Sequence, residues 1–181
     1  GAFDGASVRI LRGDDPGVPG FDVVLPAGAA PAFSGRLRRA GAGEVSAEAA
    51  EVCRIEAGRP RFGIDMTTET IPLEAGIEDR AISQTKGCYV GQEVIIRVLH
   101  RGHGRVAKRL TGLALPDAGV PAPGAVVRSG DREVGVVTSA ALSPALGHAV
   151  ALGYLHRDYA SAGTAVSVDG VPAVVAALPF V

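Results

Sequence analysis

Residues 86–93 read Lys86-Gly87-Cys88-Tyr89-Val90-Gly91-Gln92-Glu93. An amine, a thiol, a phenol, an amide and a carboxylate fall within eight positions. The two glycines allow backbone conformations closed to other residues. Directly downstream, Val94, Ile95, Val98 and Leu99 share one face at helical spacing. The stretch therefore reads as a tight loop feeding a helix that runs to about Leu99. Unpaired N–H groups at a helix start carry partial positive charge. Together with Lys86, two residues earlier, they favour the thiolate of Cys88.

The chain around this loop has 181 residues, room for one large or two small domains. Hydrophobic residues at 47% and charged ones at 20% suit a globular protein that buries a core. A net charge of −1 carries no global nucleic-acid footprint. The longest apolar runs, such as residues 172–181, fall far short of a membrane span. No basic start followed by an apolar segment marks a secretory leader. The two cysteines, Cys53 and Cys88, lie far apart, outside any CxxC or Cys/His cluster. That pattern argues against a disulfide framework or zinc and fits a reducing cytoplasm. The first residue is not methionine and the chain opens as if in mid-fold, so a processed, cleaved or truncated piece is expected.

Upstream of the loop, residues 7–12 alternate apolar and polar side chains and read as a strand. A Gly/Pro/Asp turn at 13–20 leads to a returning strand at 21–25. Helices are expected over 29–40, with Phe33 and Leu37 on one face, and over 47–56, capped by Ser46 and burying Ala49, Val52 and Cys53. Gly58 ends the second. Residues 67–76 look irregular. Downstream, His100 to Arg109 is a basic run without acids, suited to an anion, though it lacks the aromatics of a single-strand nucleic-acid platform. His100 and His103 have no third ligand near them, so no metal site is expected. After residue 110 short Val-rich runs alternate with Gly/Pro turns at 110–115, 125–129, 133–138, 149–155, 165–168 and 171–177. This is the texture of a small all-β barrel or sandwich.

The 86–93 motif closely resembles the signature of the YgfZ-type folate-binding proteins. These are relatives of the glycine-cleavage T-protein (aminomethyltransferase) and serve assembly or repair of iron–sulfur enzymes. The flanks agree: Arg54-Ile55-Glu56-Ala57-Gly58, then 60–65, then Pro72-Leu73-Glu74-Ala75-Gly76 are similar to a run shared by the T-protein superfamily, and Arg101-Gly102-His103-Gly104 fits the YgfZ branch. The resemblance spans roughly residues 20–180. It implies an α+β chain, with part of a T-protein-like folate-binding fold (a ferredoxin-like lobe) over 1–105 and a C-terminal β-barrel over 106–181. Family members are roughly twice this length, which implies that the N-terminal part of the folate lobe is missing. T-proteins carry a glutamate before the Gly-Phe matching Gly20-Phe21, where this chain has Gly17-Val18-Pro19. That departure and the cysteine motif both favour the YgfZ branch.

From the resemblance, Cys88 is the contact or redox thiol, assisted by Lys86 and Tyr89. The residues implied at a tetrahydrofolate site are Arg54, Glu56, Gln92, Glu93 and Arg101. The plainer readings stand beside these: Cys88 as a small buried hydrophobe, Lys86 as a solvated charge, Gln92 and Glu93 as helix openers, and Arg54 in a surface ion pair. Cys53, on an apolar helix face, is expected to pack in the core. The function the resemblance implies first is a tetrahydrofolate-binding accessory factor for iron–sulfur enzymes or cluster-assembly proteins, acting through Cys88; the alternative is a folate-dependent aminomethyl- or demethyl-transferase, and the third a protein-binding module with a vestigial folate pocket.

Overall fold

The computed structural model describes residues 1–101 and 105–181; of the side chains of His100 and Arg101 nothing is stated. The chain divides into two compact units, Gly1–Arg54 and Ile55–Val181.

The first unit opens with β1 (Ala2–Phe3) and β2 (Ala6–Ser7), an antiparallel pair turned by Asp4 and Gly5. β3 (Arg9–Gly13) and β4 (Gly20–Val24) then pair from Arg9↔Val24 to Gly13↔Gly20. The hairpin expected from the alternating pattern is thus present. α1 (Ala30–Arg39) follows, and Phe33 on it meets Phe3 edge-on at 5.1 Å, an arrangement aromatic rings prefer. Leu37 stays exposed. α2 (Ala47–Glu56) starts where Ser46 caps it, the Ala49 N–H donating to Ser46 Oγ at 3.1 Å. It ends before Gly58, whose φ of +66° is left-handed.

One expectation for α2 fails. Its buried residues are Arg54, Ile55 and Glu56 at the C-terminal end, whereas Cys53 and Ala49 are exposed and Val52 is only partly covered. Three consecutive buried residues mean that the last turn is enclosed on several sides. The single apolar stripe inferred from spacing is not the face that is covered.

In the second unit, short helices α3 (Pro72–Ala75), α4 (Glu78–Ala81) and α5 (Gln92–Ile96) precede the strands. α5 passes into a π-helical turn, Arg97–Arg101. The α-helix to Leu99 expected from periodicity is therefore cut short. A π turn holds more residues per turn than 3.6, so 94, 95, 98 and 99 no longer stack. None of the four is buried, and Val94 is half exposed.

Six strands then close a barrel: β5 (Lys108–Leu115), β6 (Val126–Ser129), β7 (Arg132–Ser143), β8 (His148–His156), β9 (Ala165–Val168) and β10 (Val171–Ala176). Their order is β10-β5-β8-β7-β6-β9, all neighbours antiparallel, with β9 and β10 completing the ring. Closure removes the sheet edges. Leu113, Leu115, Val127, Val137, Ala149, Ala151, Leu155, Val168 and Val175 fill the core. The β9–β10 turn is Asp169-Gly170, both at positive φ, as a two-residue hairpin of this twist requires. The mixed α+β architecture with a closing barrel matches the expected fold class.

Candidate functional site

The motif loop lies between α4 and α5 on the surface of the second unit. Gly91, at φ +86°, is the residue that turns the chain into α5. Lys86, Cys88 and Val90 are exposed, and Tyr89 is partly covered. The Lys86 ammonium sits 4.8 Å from the centre of the Tyr89 ring, a cation–π contact. The Gln92 N–H donates to the Tyr89 carbonyl at 3.2 Å, closing the turn. Tyr89 and Gln92 also line a cavity of about 110 Å³ with Ser83, Gln84, Ile95 and Leu99. The reading of Cys88 as a buried small hydrophobe is excluded by its exposure.

Arg54, Glu56 and Glu93, also implied at a folate site, are not among the residues lining this cavity. Arg54 is buried and forms a two-point fork with Glu51, its Nε donating to Oε2 at 3.0 Å and a terminal nitrogen bonding Oε1. Glu56 is buried and takes the Ser143 hydroxyl at 2.5 Å. Its carbonyl accepts the Phe180 N–H at 2.8 Å, which ties the end of the chain to the end of α2. Glu93 is exposed in the first turn of α5. The Arg101 side chain lies outside the described residues. Of the four whose side chains are described, Gln92 alone lines the cavity beside the motif.

A second, larger cleft of about 460 Å³ lies beside the barrel, with Glu74, Lys108, Arg132, Glu133, Tyr154 and His156 on its walls. α3 packs against β5 and buries Leu73, Glu74 and Ala75. Glu74 is thereby held near Lys108, whose Nζ is 4.0 Å from Oε2. The same ammonium is 5.2 Å from the centre of the Tyr154 ring. Burial, then the charges of Asp65 and Glu74, push the Tyr154 hydroxyl up to about 12.

Sequence reasoning passed over this group. Tyr154 is the one aromatic residue in the apolar run of β8, and Glu74 is a carboxylate amid apolar neighbours in α3. The tyrosine within an apolar strand was a legible signal of a polar group taken into a packed region.

Among the described residues no group of three or more His, Cys, Asp or Glu side chains could hold a metal ion. No described helix is long and apolar enough to cross a membrane.

With this geometry in hand, known proteins supply a frame. Residues 108–181 match the glycine cleavage T-protein C-terminal barrel domain. The chain is 35% identical over 179 residues to an aminomethyltransferase of Rubrobacter xylanophilus, covering 98% of this chain and 47% of the relative. It is also 35% identical over 185 residues to an aminomethyltransferase of Saccharopolyspora erythraea, covering 97% of this chain and 50% of that one. The crystal structure of glycine cleavage system aminomethyltransferase T from Bartonella henselae superposes with a TM-score of 0.84 at 28% identity, covering 96% of this chain and 50% of that one. The chain thus spans about half the length of the curated relatives it matches.

Proposed function

We propose, on the premise that residues 108–181 form a barrel of the glycine cleavage T-protein C-terminal type, that this chain is part of a folate-dependent aminomethyltransferase. The observation carrying this reading is the 35% identity to aminomethyltransferases, which runs through both units and not through the barrel alone. The solved aminomethyltransferase with the same backbone course over 96% of the chain supports it further.

Tetrahydrofolate, when bound, supplies the nitrogens that accept a one-carbon unit. The implied folate residues of this chain do not make a site for it by themselves. Arg54 and Glu56 are engaged by Glu51 and Ser143, and the cavity at Gln92, about 110 Å³, is smaller than the ~300–1,000 Å³ usual for ligand pockets. The chain's contribution on this reading is structural: a closed barrel, and buried polar anchors that join it to the segment carrying the motif.

Calorimetric titration of the full-length polypeptide with tetrahydrofolate tests the reading. A saturable site is expected, and its absence would overturn the transferase and leave a vestigial pocket.

One observation favours a second reading. Cys88 is exposed on a loop shaped by Gly91 and the Lys86–Tyr89 contact. An exposed thiol suits the YgfZ-type role, contacting iron–sulfur enzymes or undergoing reversible oxidation. Loss of cluster-enzyme activity in cells carrying Cys88→Ser, with folate-dependent transfer absent from the wild type, would favour it.

A further inference from the structure

We propose that the cleft beside the barrel binds a small primary ammonium compound, seated between the Glu74 carboxylate and the face of the Tyr154 ring. Glu74 is 7% exposed. A carboxylate so far removed from water requires close charge compensation. Among the described residues its one ion pair is with Lys108, at 4.0 Å, and it makes no hydrogen bond. Tyr154 is likewise 7% exposed, and its hydroxyl is buried without a hydrogen-bond partner among the described residues. The Tyr154 hydroxyl is thus left unsatisfied, which is uncommon in native proteins, and Glu74 beside it has only a long ion pair.

The remaining charges on the cleft are committed elsewhere. Arg132 lies over the Tyr159 ring at 5.7 Å. Glu133 pairs with Arg128 at 3.6 Å. His156 Nδ1 is 3.5 Å from Asp158. What the cleft still offers is a carboxylate and an aromatic face. These are the elements that recognise an ammonium group.

Lys108 shows the preference from within the chain. Its ammonium lies toward both Glu74 and the ring, yet its side chain is 53% exposed and its tether on β5 leaves it at the outer limit of an ion pair. An untethered ammonium can approach the carboxylate to hydrogen-bonding distance while lying against the Tyr154 ring. Lys108 is therefore an internal competitor for the site. This inference goes beyond the transferase reading and stands independently of it.

The test is a titration of the full chain with methylammonium chloride at constant ionic strength, followed by nuclear magnetic resonance of labelled tyrosine rings. Tyr154→Phe assigns the Tyr154 signals among the three tyrosines. Saturable shifts of Tyr154 are expected with methylammonium and not with sodium acetate. Lys108→Ala should tighten the interaction several-fold, and Glu74→Gln should abolish it. No saturation with methylammonium, saturation with acetate instead, or weaker binding in Lys108→Ala would each overturn the proposal. Lys108 is on the surface, so that variant remains decisive if Glu74→Gln does not fold.

Discussion

The Ser139 hydroxyl donates to Asp65 Oδ1 at 2.7 Å. Thr138, the adjacent residue, donates to the same oxygen at 2.5 Å. Neighbouring residues of a regular strand point to opposite faces, so two consecutive hydroxyls should not reach one carboxylate. The β7–β8 register explains it: Val137 pairs with Gly153 and Ser139 with Leu152, leaving Thr138 as a bulge. The bulge re-aims one side chain. Asp65 also accepts the Arg61 N–H at 2.9 Å, so one buried carboxylate pins the 61–66 turn to the barrel wall.

Replacing Asp65 with alanine removes the acceptor that the Thr138 and Ser139 hydroxyls and the Arg61 N–H share. Each buried polar group left unpaired costs about 1–3 kcal/mol. Denaturant unfolding of Asp65→Ala should show a loss in that range or above, with Asp65→Asn intermediate because it keeps an acceptor. Wild-type stability in Asp65→Ala would show that the anchor is not needed.

Gly153 lies where β8 runs close against β7. A Cβ added there would stand 2.7 Å from the Val136 carbonyl oxygen, which is backbone and cannot swing aside. Gly153→Ala should lose about 1–3 kcal/mol, the usual cost of overpacking. Gly119, with nothing near it, serves as a control, and Gly119→Ala should leave the denaturation midpoint unchanged.

Tyr154 gives a pH signature. Its hydroxyl ionises near 12 in the folded chain and near 10 when exposed. Between these values the unfolded state has lost a proton that the folded state retains, so stability falls as pH rises. The contribution is complete below pH 10 and gone above about 12. Denaturation midpoints measured across this window should fall more steeply for the wild type than for Tyr154→Phe. Parallel curves would contradict the burial of the hydroxyl.

Thiol labelling checks the placement of the cysteines. Both are exposed, so the folded chain should react rapidly at two thiols, and Cys88→Ser at one. A single fast thiol in the wild type would return Cys53 to the core.

The barrel was legible because each of its strands alternates or runs apolar between clear turn signals, Asp169-Gly170 the plainest of them. α2 was legible to its termini, since Ser46 and Gly58 are unambiguous stops. Burial along α2 was not, because Arg54 and Glu56 are covered through contacts distant in sequence, as Ser143 on Glu56 shows. The same holds for Asp65 and Glu74. A carboxylate's burial depends on which hydroxyl or ammonium the fold delivers to it, and nothing local announces that. The motif helix failed for a different reason: spacing specifies a face, and a π turn changes the spacing.

The most direct measurement is one-carbon transfer by the full-length protein, given tetrahydrofolate and an aminomethyl donor. Release of ammonia coupled to formation of a one-carbon-loaded folate is expected, with a rate that saturates in tetrahydrofolate. No turnover with either an aminomethyl or an N-methyl donor would contradict the transferase reading.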